Sequence, residues 1–311
     1  MAQSKATVSF FERLFFKPRF LDWGIVFLLS PLSFLYGTIM LFRRLLVVKK
    51  KYIIPIISIG NLTVGGSGKT PFVIALASRY DNVFIISRGY GRKSKGLIEV
   101  SSKGKILVDV YASGDEPMLM ATSLHNSSVI VSEKRELAIE LAFKKGAKVI
   151  ILDDGFNRVN IEKFEILLFP KRIKNYMTFP AGAFREFYFT KAFADLSLYE
   201  NRDFKRVVTI KNKTLKMLLV TAISNPERLE PFLPQNIVGK YLLDDHAYFD
   251  EPLLKKKMEA VGATSLLVTQ KDEVKMQGFQ LPLSVMQLEL QIKNEILEKI
   301  DNYVGELSYE K

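Results

Sequence analysis

The 311-residue chain has no cysteine, only two histidines and a single tryptophan. Without cysteine there is no disulfide, no thiolate zinc site and no thiol nucleophile. Two histidines, His125 and His246, are too few for a histidine-rich metal centre. Internal repeats and low-complexity stretches are also missing. Acidic residues are in short supply: 33 stand against 45 lysines and arginines, for a net charge of +12. Such a charge suits nucleic acid, an anionic membrane or a phosphorylated substrate, and equally a plain basic surface. No RNA-recognition, zinc-finger or basic-zipper signature accompanies it, so no nucleic-acid partner is expected. What is present is a globular balance, 48% apolar and 25% charged, in a chain long enough for two domains.

Residues 23–42 (WGIVFLLSPLSFLYGTIMLF) carry no charge. As a helix this stretch reaches roughly 30 Å, the hydrocarbon thickness of a bilayer. Pro31 lies in its middle, where a missing N–H kinks a helix. Lys5, Arg13, Lys17 and Arg19 precede it, and Arg43, Arg44, Lys49, Lys50 and Lys51 follow. This near balance gives no orientation, so a single span and a kinked insertion from one face both stand. No small-residue cleavage site follows the apolar run, which argues against a signal peptide. The segment is expected to be a membrane-associated helix within residues 1–50.

From residue 53 the pattern becomes short apolar runs alternating with helical stretches. Strands are expected at 53–59, 83–87, 128–132, 148–152 and 164–169, with helices at 69–79, 116–124 and 133–145. That alternation predicts an α/β fold of the P-loop NTPase type, a mostly parallel sheet with helices on both faces. A polar, basic stretch at 200–216 reads as a strand-like linker. A second set follows, with strands at 218–221, 237–243, 265–269 and 283–290 and helices near 251–261 and 293–306. The expected division is 1–50 for the membrane segment, 51–205 for a kinase domain, and 206–311 for a smaller α/β domain closing over the site.

Four segments carry chemistry. After the first strand comes GNLTVGGSGKTP (60–71), a phosphate-binding loop in which Thr63 stands where the strict pattern has glycine. The backbone N–H groups of Thr63, Val64, Gly65, Gly66, Ser67 and Gly68 can wrap phosphates at a helix N-terminus. Lys69 then faces the β/γ-phosphates and the Thr70 hydroxyl ligates Mg²⁺. The strand at 148–152 runs into Asp153-Asp154-Gly155, in the place of a metal-holding carboxylate. Neighbours on an extended strand point to opposite faces, so one aspartate serves the metal while the other orients a neighbour. Asp115, in Gly114-Asp115-Glu116-Pro117, reads equally as a helix cap and as a functional group. Arg88, Arg92 and Lys93 lie in the basic loop SRGYGRKSKG (87–96), placed to meet a phosphorylated substrate or anionic headgroups. Taken alone, His246 in DDHAYFD reads as structural, and His125 as a surface or capping residue.

In order, SIGNLTVGGSGKTPFV, SRGYGRKSKG, GDEPMLMA, SEKREL, VIILDDGF, FPAGAFRE, DDHAYFD and VTQKD resemble the tetraacyldisaccharide 4′-kinase family of Gram-negative bacteria. The likeness runs from about residue 56 to 272, and the irregular P-loop and amino-terminal membrane segment are traits of that family. It implies transfer of the γ-phosphate of ATP to the 4′-hydroxyl of a tetra-acylated disaccharide 1-phosphate, giving lipid IVA. By the same likeness Lys69 and Thr70 grip ATP and Mg²⁺, and Asp153 and Asp154 serve the metal and its network. Asp115 resembles the catalytic base, with His246 paired to it on domain closure. The implied setting is the cytoplasmic face of the inner membrane, with the lipid as partner and the protein a monomer. Two departures stand out: Asn157-Arg158 replaces the usual Gln-His after DDGF, and TAISNPERLEPF (221–232) replaces a glycine-rich turn. The rival reading is a membrane-attached P-loop ATPase or GTPase switch with no lipid acceptor. Thr269-Gln270-Lys271-Asp272 is only a weak match to a guanine-specific motif.

Overall fold

The computed structural model describes residues 10–64, 68–170 and 173–309. Gly65, Gly66 and Ser67 of the expected phosphate loop, and Lys5 of the basic flank, lie outside the described residues. Chain order begins with α1 (10–16), α2 (Asp22–Leu46), β1 (Ile56–Gly60), α3 (Lys69–Ala77) and β2 (Val83–Ser87). It continues with β3 (Ile98–Ser102), β4 (Lys105–Ile106), α4 (Val110–Ser113), α5 (Asp115–Ser123), β5 (Ser128–Val131) and α6 (Arg135–Lys144). Then come β6 (Val149–Asp153), β7 (Phe164–Phe169), β8 (Leu196–Tyr199), β9 (Phe204–Lys211), β10 (Met217–Thr221) and β11 (Ile237–Leu242). The last elements are α7 (Glu251–Ala260), β12 (Ser265–Thr269), α8 (Gln270–Glu273), β13 (Leu283–Ile292) and α9 (Asn294–Tyr309).

The chain forms two compact units, each assembled from separated stretches. The first comprises Met1–Lys69, Asp154–Phe204 and Glu298–Lys311. In it β1 pairs in parallel with β7, and β7 with β8. β1 and β7 are almost wholly buried, as expected of parallel strands covered on both faces. The Tyr303 ring of α9 lies tilted against Phe164, 4.8 Å between centroids, and its hydroxyl donates to the Ile56 carbonyl at 3.1 Å.

α2 is the unusual element of this unit. It runs unbroken through Pro31; the Phe27 carbonyl, which loses its N–H partner to the proline ring, accepts from the Ser30 hydroxyl at 2.7 Å. One side of the helix is docked. Val26 packs with Leu14, Ala181 and Ala183. Ser33 donates to the Thr178 carbonyl at 2.6 Å and accepts from the Ala181 N–H at 2.9 Å. At Gly37 a Cβ would stand 2.6 Å from the Phe187 ring, so only glycine lets the helix come this close. Near its end Arg44 meets both oxygens of Glu186 at 2.7 and 2.9 Å, donates to the Phe156 carbonyl at 3.0 Å and lies over the Phe156 ring. That pair is buried, so removing one partner would strand a charge at a cost of about 3–5 kcal/mol. The opposite side is open, with Phe27 81% exposed and Leu28 77%, alongside Phe34, Leu35, Ile39 and Phe42. Among the described residues α2 alone is long and apolar enough to cross a membrane.

The second unit comprises Thr70–Asp153 and Lys205–Leu297. Here β2 pairs in parallel with β5 and β6, while β3 runs antiparallel to both β5 and β4. A separate five-stranded sheet has the order β11-β10-β12-β13-β9, with β10 parallel to β11 and β12, and β12 parallel to β13. Its core gathers Leu218, Val220, Leu254, Leu266, Val268, Met276 and Val285. The basic stretch expected to be a linker contributes β9, an edge strand of this sheet whose solvent side carries the charge. The β3–β4 hairpin was not foreseen, because IEVSS and KI lack the apolar run that marks a buried strand.

Candidate active site

In the first unit the sequence after β1 is laced to the stretch ending in Arg185. Val64 donates to the Ala183 carbonyl at 2.8 Å and Arg185 to the Leu62 carbonyl at 2.7 Å. Asn61 accepts from the Lys69 ammonium at 3.0 Å, and its amide donates to the Thr63 carbonyl at 2.9 Å. Lys69 also lies 3.4 Å from Asp154, whose other oxygen accepts from Arg185 at 3.0 Å. Burial works against the Asp154 charge, but Lys69 and Arg185 outweigh it and hold the carboxyl below the ordinary carboxylate range. Gly68 and Asp154 both have left-handed backbone.

β6 ends at Asp153, and the φ of +54° at Asp154 turns the chain out of the strand. The premise that the strand carries both aspartates therefore does not hold, although their environments do differ. In the second unit Asp153 is buried and accepts from the Ser87 hydroxyl at 2.8 Å, while its carbonyl accepts from Arg135 at 3.4 Å. Thr70, next to Lys69 in α3, is buried as well.

The second unit also holds a charged cluster around Asp115. Gly114, with φ of +88°, is the residue before α5; a Cβ there would stand 3.0 Å from the Tyr90 carbonyl. Asp115 is the first helical residue, not the cap, and its Oδ1 accepts from the Glu116 N–H at 2.9 Å. Its Oδ2 lies 2.8 Å from His246 Nδ1. The family resemblance pairs these two on closure of a domain; the structure has the pair formed inside one compact unit. His246 has φ of +61°, a conformation that costs free energy in a non-glycine residue and recurs at functional sites. The Asp115 hydrogen bond raises the His246 imidazole above its ordinary value, against burial and the charge of Lys271. Asp115 itself is 5% exposed. Burial again opposes its charge, yet the His246 bond and the charges of Lys271 and Lys275 hold it below the ordinary range.

Lys271 and Lys275 were missed as site residues. Lys271 lies 3.6 Å and Lys275 3.8 Å from Asp115. The string VTQKD that carries Lys271 reads as a weak guanine motif, but here Thr269 caps α8 and Asp272 accepts from the Thr221 and Thr269 hydroxyls. Asn61 and Arg185 were also missed, although both lie within strings shared with the family. Of the three basic-loop residues, Arg88 is exposed. Arg92 is tied to Glu133 at 2.5 Å and to the Gly96 carbonyl at 2.6 Å, with its side chain almost wholly buried. Lys93 lies over the stacked rings of Tyr111 and Tyr248. His125 is exposed.

Gly68 with its left-handed backbone leading into a lysine-headed helix, mostly parallel sheets, and a hydrogen-bonded carboxylate–imidazole pair define a P-loop-type α/β phosphotransferase. The family model described as tetraacyldisaccharide-1-P 4′-kinase matches residues 25–215 and 190–305. Curated proteins named tetraacyldisaccharide 4′-kinase are similar over nearly the whole chain. The one from Helicobacter acinonychis is 50% identical over 307 residues, covering 98% of each chain. That from Aliarcobacter butzleri is 45% identical, covering 94% of this chain and 96% of its own. The crystal structure of LpxK from Aquifex aeolicus, described as an "apo" form in complex with ATP, superposes with a TM-score of 0.76 at 29% identity, covering 90% of this chain and 99% of that one. The chain belongs to the tetraacyldisaccharide 4′-kinase family.

The raised imidazole value has a consequence for stability. A group held above its ordinary value stabilises the fold fully below that value and loses the contribution as pH rises through the raised one. Thermal denaturation between about pH 6 and about pH 9 should therefore show a falling Tm that is blunted in His246→Gln. Equal slopes in the two proteins would mean that the imidazolium–Asp115 pair contributes nothing.

Proposed function

We propose that this protein transfers the γ-phosphate of ATP to the 4′-hydroxyl of tetraacyldisaccharide 1-phosphate, forming lipid IVA in lipid A biosynthesis. Family membership carries the substrate, and the Asp115–His246 pair carries the chemistry. In phosphoryl transfer the sugar oxygen bonds to phosphorus as the bond to the ADP oxygen breaks, and the hydroxyl proton must go to a base. Both Asp115 oxygens are engaged, one by the Glu116 N–H and one by His246, so the carboxylate and imidazole act as one proton acceptor. ADP leaves with the electron pair of the broken bond. A switch without an acceptor gives this pair no task.

Lys69, held between Asn61 and Asp154, is the cation for the β/γ-phosphates. The backbone of Thr63, Val64 and Gly68, with Gly65, Gly66 and Ser67 outside the described residues, forms the phosphate loop. Among the described residues no group of three or more acidic or imidazole side chains forms a metal site by itself. A magnesium ion bound mainly through phosphate oxygens and water needs only one or two carboxylates and a hydroxyl. Asp153, Asp154 and Thr70 supply those donor types, and the ion would neutralise charge developing on the transferred group. Arg88 and Lys93 are the basic-loop candidates for the acceptor's 1-phosphate, whereas Arg92 braces the loop through Glu133 and Gly96.

We also infer that α2 lies along the membrane interface on the cytoplasmic face of the inner membrane rather than crossing it. Its docked side runs from Val26 to Arg44, a rise of about 27 Å, leaving only one apolar flank for lipid. A transverse span would strip Ser33 and Arg44 of the partners that hold them. Interfacial binding of this kind scales with the apolar area inserted.

Two experiments test the reading. Purified protein with labelled ATP, magnesium and the disaccharide 1-phosphate in detergent should give a bis-phosphorylated lipid, and Lys69→Met should lose it. ATP consumption with no phosphorylated lipid would return the assignment to a switch. Phe27→Ser, Leu28→Ser and Phe34→Ser combined should move the folded protein from the membrane to the soluble fraction; retention on vesicles would show that another surface binds lipid.

A further inference from the structure

Lys271 has an unusual position for a lysine. Its ammonium lies 3.5 Å from Glu116, 3.6 Å from Asp115 and 3.7 Å from Asp245, and its side chain is only 18% exposed. These distances are nearly equal and longer than a strong hydrogen bond, so the charge is shared among three carboxylates. Lys275, one turn on, is different: it is enclosed, donates to the Ala247 carbonyl at 3.1 Å and pairs with Asp272 at 3.3 Å.

The charges facing the His246 ring come from three elements: Asp115 of α5, Asp245 of its own loop, and Lys271 of α8. Glu116 and Lys275 stand behind these as partners of Lys271 and Asp115. The loop after β2 meets the ring with Tyr90, 5.4 Å between centroids, and with Gly91, neither of them charged. Both ring nitrogens face carboxylates, Nδ1 at 2.8 Å from Asp115 and Nε2 at 3.5 Å from Asp245. Two carboxylates alone would lock the ring as an imidazolium, which cannot take a proton from a hydroxyl. A neighbouring cation opposes that lock.

We propose that Lys271 is a positioning residue of the dyad: it holds Asp115 and Asp245 in place while leaving His246 able to exchange a proton. This rests on the reading of Asp115 and His246 as the proton acceptor, and it adds the group that keeps the acceptor in a working state.

With only two histidines in the chain, the imidazole nitrogen signals of the full-length labelled protein in micelles can be followed directly against pH, and exposed His125 serves as reference. In Lys271→Met the His246 midpoint should move to higher pH, because the cation disfavouring the imidazolium is gone. In Asp245→Asn it should move to lower pH, and Lys271→Arg should leave it near the wild-type value. Lys271→Gln, which keeps a polar but uncharged side chain, guards against a methionine variant that fails to fold. The kcat of Lys271→Met at neutral pH should fall roughly tenfold or more, with the KM for ATP little changed and the acid limb of the pH–rate profile moved upward. An unmoved His246 midpoint overturns the role of Lys271 even if kcat falls, since a merely structural contact lowers activity without moving a titration. A moved midpoint with unchanged kcat overturns the dyad reading instead.

Discussion

Asp115 is a carboxylate with a twentieth of its surface exposed, and burying a bare carboxylate is among the most costly things a fold can do. The second unit answers that cost with His246 in hydrogen-bond contact and two lysines slightly farther off. Much of the local structure follows. Gly114 must adopt a backbone that brings α5 close under the Tyr90 carbonyl, and His246 must accept a left-handed conformation to present Nδ1. Asp272 must in turn accept from the Thr221 and Thr269 hydroxyls and pair with Lys275, so that α8 and the residue two beyond it can bring the two lysines near Asp115. The cluster is thus a charge balance, and the proton affinity of its imidazole is set by that balance.

The first unit solves a parallel problem around Asp154. Lys69 and Arg185 share its two oxygens, and Asn61 holds Lys69 from the other side. A lysine with alternating partners is already desolvated and aimed, so turning to a phosphate requires little further ordering. The same unit carries α2, whose docked flank is polar where it must be, at Ser33 and Arg44, and apolar elsewhere. A kinase of this family acts on an acylated acceptor, and the exposed apolar flank of α2 is the surface proposed to meet lipid.

Most of the strands were legible in the sequence because continuous apolar runs such as VFIIS and FEILLF have no use except in a buried parallel sheet. The lysine-headed helix after β1 and the paired aspartates were legible for the same reason: their residue types have few other uses together. The β3–β4 hairpin and β9 were not, since half-exposed edge strands lack that signature. The helix cap is Gly114, not Asp115, a distinction that depends on a backbone angle no sequence pattern states. The charges around His246 were the least legible. Lys271 and Asp245 are distant in sequence from Asp115, and only the packing of α8 and the His246 loop against α5 brings them to one point.

The central claim is that Asp115, joined to His246, takes the proton of the acceptor hydroxyl. It is tested most directly by single-turnover phosphoryl transfer from saturating ATP to the lipid acceptor in Asp115→Asn. That variant keeps the shape and the backbone contact but loses the charge. The transfer rate should fall by about 10²–10⁴-fold with ATP affinity unchanged. A transfer rate within a few-fold of the wild type would contradict it.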